Sequence, residues 1–81
     1  MERTEHHKNA ALAKIPDQVA AIAAAEADLE RFVARALHWG ATWTEIAAAV
    51  GTTRQSAHQR YRRLRYDPST GTTWHEPPLP I

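Results

Sequence analysis

Between Asp17 and His38 the apolar residues Ile22, Ala25, Leu29, Phe32 and Ala36 recur at alternating spacings of three and four, the signature of one helical face. Val19, Val33 and Leu37 widen that stripe sideways. The stretch is rich in Ala, Leu, Glu and Arg, contains neither Gly nor Pro, and is followed by Gly40, so a long helix is predicted over residues 17–38. Ile15-Pro16-Asp17 marks its expected start, because proline is tolerated in a first turn and pushes the residue before it out of helical geometry. Residues 1–14, polar with an Ala-Leu-Ala patch near their end, read as a flexible or frayed arm.

A second pattern begins at Thr42-Trp43-Thr44-Glu45, which has the form of a capping box and predicts a short helix over residues 43–50. Ile46, Ala47 and Val50 share one face of it, and Gly51 supplies the left-handed residue that ends it. Thr53 is placed to cap a third helix, predicted over residues 54–65. Ala57, Tyr61 and Leu64 recur at four and three and should face the core, leaving Arg54, Gln55, His58, Gln59, Arg62, Arg63 and Arg65 outward. Trp39 and Trp43 bracket Gly40 and are expected to staple the long helix to this unit. Asp67-Pro68-Ser69-Thr70-Gly71 is a turn signal, across which Arg65–Asp67 and Thr72–His75 either pair as a small hairpin or leave residues 67–81 as a mobile Pro-rich tail. Trp74 in that region either folds back on the core or meets a partner. The fold class expected is all-α: a long helix followed by two short ones in a domain spanning residues 15–66, with a minimal β-hairpin as an optional addition.

Composition narrows what such a fold can do. With 81 residues and polar or Pro-rich ends, the packed unit is about 50 residues. That favours a binding module over an enzyme with an enclosed cleft. No nucleophile–base pair, paired carboxylates or phosphate-binding Gly loop is found. The chain has no Cys, and His6-His7 has no partner at ligand spacing, so neither metal nor cofactor is expected. No apolar run approaches the roughly 20 residues that span a bilayer, and the first residues lack an apolar signal core, so a cytoplasmic protein is expected. The net charge of +1 hides a lopsided distribution. From Met1 to Arg31 acids and bases are mixed, whereas Thr53 to Arg65 carries Arg54, Arg60, Arg62, Arg63 and Arg65 without any acid. Positive charge concentrated on one short helix is the electrostatic footprint of phosphate contact.

The stretch GATWTEIAAAVGTTRQSAHQRYRRL resembles the helix-turn-helix superfamily of bacterial regulators, most closely the variant in sigma-factor promoter-reading domains and small actinobacterial DNA-binding proteins. Ile46, Ala47, Val50, Gly51, Thr53, Arg54, Gln55 and Ala57 carry the match, which covers about 25 residues. Thr52 departs from it by replacing an aliphatic residue, and Arg60 by standing where many members bury one; Tyr61 is expected to supply the missing apolar area. The resemblance implies double-stranded DNA as partner, with Thr53, Arg54, Gln55, His58 and Gln59 at its surface. Arg54 can fork onto guanine and Gln55 or Gln59 onto adenine, with His58 as a further donor on that face. Thr53 and Ser56 at the helix start suit a phosphate, and Arg62, Arg63 and Arg65 further along read as backbone clamps. Transcriptional regulation by a nucleoid-associated protein is the expected use. The alternative is a protein-interaction adaptor whose C-terminal tail and long helix engage a protein partner, with DNA binding secondary. The wide apolar stripe of the long helix either simply covers the two short helices or, in its Ala-rich first half, also forms a homodimer seam.

Overall fold

A computed structural model describes residues 2–80, so Met1 and Ile81, the ends of the expected arm and tail, lie outside the described residues. Three helices, α1 (Glu2–His38), α2 (Trp43–Val50) and α3 (Arg54–Tyr61), precede a hairpin of β1 (Leu64–Asp67) and β2 (Thr72–His75). The fold is therefore mostly α rather than all-α.

The arm expected over residues 1–14 is instead part of α1, which runs for 37 residues through Pro16. Proline's fixed φ is helical, and every residue from 3 to 29 is exposed, so the carbonyl that Pro16 leaves without an amide partner is open to water. Ala10 to Lys14 on one side and Gln18 to Ala25 on the other are strong helix formers that carry the helix across. The result is a rod of about 55 Å, which sets the 58 Å long axis of the molecule. The radius of gyration, 18.4 Å, exceeds the roughly 12 Å of a compact chain this long.

Only the last turns of α1 join the body. Val33 and Ala34 are buried with Ile46, Ala47, Ala57, Tyr61 and Leu64, and Ala36, Leu37, Ala41, Trp43, Val50 and Tyr66 pack around them. The expectation that the whole apolar stripe of α1 covers the other helices fails for a simple geometric reason. Two eight-residue helices are each about 12 Å long and reach only its C-terminal end. Val19, Ile22 and Phe32 stay more than half exposed.

The stapling role falls to Trp43 alone. Gly40 (φ 99°) turns the chain after α1, which leaves Trp39 72 % exposed with its ring edge-on to His38 at 4.9 Å. The third helix also stops short of the residue 65 expected for it. Arg62 caps α3, and the chain then leaves as β1, paired antiparallel with β2 so that Leu64 faces His75 and Asp67 faces Thr72. Leu64 does reach the core, as its spacing suggests, but from a strand.

The hairpin closes through Asp67, whose carboxylate accepts from the Ser69 amide (2.9 Å) and hydroxyl (2.7 Å), and through Gly71 at φ 72°. It leans on α1: Tyr66 meets the His38 ring edge-on at 5.6 Å, and His75 Nε2 lies 3.2 Å from the Glu30 carboxylate. The Glu76 amide donates to the Arg63 carbonyl at 2.7 Å, so the chain after β2 is held against the end of α3 rather than hanging free there. Trp74 lies opposite Arg65 in the hairpin and is 44 % exposed. Among the described residues no helix is long and apolar enough to cross a membrane.

Candidate nucleic-acid interface

The geometry of α2 and α3 follows from local polar chemistry at each end. The Thr42 amide donates to Glu45 Oε1 (2.9 Å) and the Glu45 amide to Thr42 Oγ1 (3.1 Å), completing the capping box that starts α2. Gly51, at φ 86°, ends it, and the amides of Gly51 and Thr52 both donate to the Ala47 carbonyl (2.9 and 3.0 Å). At φ 86° a side chain is strained, which is why glycine stands there. Two residues later Thr53 caps α3, its Oγ1 accepting from the Ser56 amide at 3.1 Å and donating to Ser56 Oγ at 2.9 Å. That leaves the Ser56 hydroxyl proton, and the first amides of α3, available to an acceptor outside the chain.

Burial fixes how α3 is rotated. Ala57 and Tyr61 are fully buried, so helical phase sets Gln55, Gln59 and Arg62 in a row on the opposite side. Ser56 flanks that row on one side and His58 on the other, while Arg54 projects from the helix start. Arg54, Gln55, Ser56, His58, Gln59 and Arg62 are all exposed, and Arg63 is half-buried. Thr52 and Arg60 are both exposed, and the residue after Arg60, Tyr61, is fully buried.

His58 meets the Trp43 ring edge-on at 5.1 Å, so the residue that joins α2 to the core also orients a side chain at the margin of this row. Arg65 is brought elsewhere. It stands on β1, its guanidinium paired with Glu76 at 2.8 Å and donating to the carbonyls of Arg62 and Leu64. Arg60, given no role from sequence, belongs with the exposed bases of α3; its guanidinium lies 5.0 Å from the centre of the Tyr61 ring. Its signal was its phase, one turn after Ser56 on the same flank.

Acids near these bases are already occupied. Glu45 is held by Thr42, Asp67 by Ser69 and Glu76 by Arg65. Among the described residues Arg54, Arg60, Arg62 and Arg63 make no ion pair, and no cluster of metal-ligating side chains is present. Hydrogen bonds from the Thr42 backbone and side chain hold the Glu45 carboxyl below its ordinary value of 4.5. A depressed carboxylate stabilises the folded state above its unfolded pKa and loses that contribution as pH falls through the folded one. Thermal melts are therefore expected to show a loss of stability as pH drops below about 4.5, with Glu45→Gln removing part of that dependence. The Ser69 hydroxyl and amide lower Asp67 in the same sense, so Asp67→Asn should remove a further part.

The chain matches no family model, no curated protein and no solved structure.

Proposed function

We propose that this protein binds double-stranded DNA in a sequence-specific manner, with α3 entering the major groove, and that it regulates transcription. The observation that carries this reading is a capped helix whose buried face is fixed by Ala57 and Tyr61 and whose exposed face presents Gln55, Gln59 and a set of arginines free of acidic partners. An α-helix fits the major groove, and its first turns lie nearest the base edges. In that placement Arg54 forks onto guanine, while Gln55 and Gln59, a turn apart on the outward row, address adenine. His58 donates at the margin. Thr53, Ser56 and the amides of the helix start take a phosphate. Arg62 and Arg63 grip the backbone beyond the reading turn, and Arg60 joins them from the flank. Arg65 reaches a phosphate only if its pair with Glu76 opens. The hairpin serves as a minimal wing that braces the far end of α1.

Selection of bound DNA from a random pool tests this directly. An enriched motif is expected, bound with steep salt dependence, and Arg62→Ala and Arg63→Ala should each reduce the slope of log K against log salt by about 0.9 while weakening all sequences alike. A pool that shows no enrichment, with binding indifferent to salt, overturns the reading.

A further inference from the structure

The free part of α1 carries an ordered apolar seam. Leu12, Ile15, Val19 and Ile22 follow one another at three, four and three, the spacing of a heptad seam. They are 54, 53, 59 and 58 % exposed, though Ile and Val are seldom left open to water. The next seam position in each direction is charged: Lys8 stands four residues before Leu12, and Glu26 four after Ile22. A run of apolar layers thus ends in a base on one side and an acid on the other.

We propose that a second copy of this chain packs antiparallel on this face, with the two-fold axis passing beside Asp17. Two features have Asp17 as their midpoint. The first is the apolar run from Leu12 to Ile22, and the second is the pair Lys8 and Glu26. In this register Leu12 meets the partner's Ile22 and Ile15 meets the partner's Val19, each contact repeated by symmetry. Lys8 meets the partner's Glu26 at both ends of the seam. Within its own chain Lys8 pairs with Glu5 at 3.0 Å, whereas Glu26 has no ion pair among the described residues. Ala11, Ala23 and Ala25 flank the seam and are small enough for the two helices to approach closely.

A parallel arrangement fails on two counts. It sets Lys8 against the partner's Lys8 and Glu26 against the partner's Glu26, and like charges repel across a seam. It also drives both bodies into one space, because Val33 continues the same seam into the core. The antiparallel arrangement instead puts the two bodies at opposite ends of the rod. The two copies of Val33 then lie about 48 Å apart along the rod, further than the roughly 34 Å of one DNA turn.

Sedimentation of the full chain without DNA tests the pairing independently of the function proposed above. A dimer is expected at micromolar concentration. Lys8→Glu and Glu26→Lys should each weaken it about tenfold or more, and the double variant K8E/E26K should recover most of the loss, because each reversed base again meets a reversed acid. Circular dichroism establishes that the helix survives in all three variants. A wild-type monomer at high micromolar concentration, single reversals without effect, or a double variant weaker than either single would each overturn the proposal; the second outcome is that of a parallel pair, in which each position faces its own copy.

Discussion

Tyr61→Ala is expected to unfold the body built on α2 and α3 at 25 °C, whereas Tyr61→Phe should keep it folded and raise its midpoint. Tyr61 is fully exposure-free and is the bulkiest of the completely buried side chains, in a core where Ala34, Ala47 and Ala57 contribute little apolar area each. Cutting a buried aromatic to alanine costs about 3 to 5 kcal/mol, and a core this small supplies roughly that much stability in all. The phenol oxygen is buried without a hydrogen-bond partner. Removing it therefore relieves a buried unsatisfied group, a gain of about 1 kcal/mol. Denaturant titration followed by tryptophan fluorescence measures both effects, since Trp43 packs on this core. Far-ultraviolet dichroism alone would understate the first, because much of the helical signal comes from the free length of α1. A midpoint lowered by Tyr61→Phe would show that the hydroxyl is satisfied after all.

Arg54→Ala is expected to remove discrimination at one guanine of the selected site. A forked arginine–guanine pair is worth about 1 to 3 kcal/mol, which corresponds to roughly 5- to 150-fold in relative affinity. The loss should be confined to that base pair, whereas Arg62→Ala weakens every sequence equally. The difference lies in position. Arg54 projects from the first turn of α3, and Arg62 caps its end, so only the former sits where base edges are reached. Competition between the selected site and its single-base variants reads the effect. Unchanged preference in Arg54→Ala would move the reading function along α3, most simply to the row of Gln55 and Gln59.

Much of this site can be read in the chain itself because its determinants are local. Thr42 and Glu45 are three residues apart, Gly51 terminates α2 by its own backbone preference, and Thr53 caps α3 through Ser56. The bounds of α2 and the start of α3 follow from these contacts within a turn. Ala57 and Tyr61 recur on one face, so the outward identity of Gln55, Gln59 and Arg62 follows as well. Where local rules compete, the chain alone misleads. Pro16 reads as a boundary, yet α1 passes through it, because strong helix formers flank it on both sides and nothing packs there to penalise the missing hydrogen bond. Leu64 and Arg65 continue the helical spacing of Ala57 and Tyr61, yet they belong to β1. What draws them away is the partner strand Thr72–His75 and the Glu76 amide on the Arg63 carbonyl, contacts made by residues far along the sequence. That same return of the chain puts Glu76 beside Arg65 and withdraws this arginine from the exposed bases.

By itself, then, the sequence determined the caps, the turn and the two faces of α3, since each depends on groups within a helical turn of one another. The tertiary structure decided how much of α1 is covered, where α3 gives way to a strand, and which arginines stay unpaired. Those outcomes depend on lengths and on distant partners: a 37-residue helix against two short ones leaves its first 30 or so residues without a neighbour in its own chain, and a hairpin needs both of its strands before either exists.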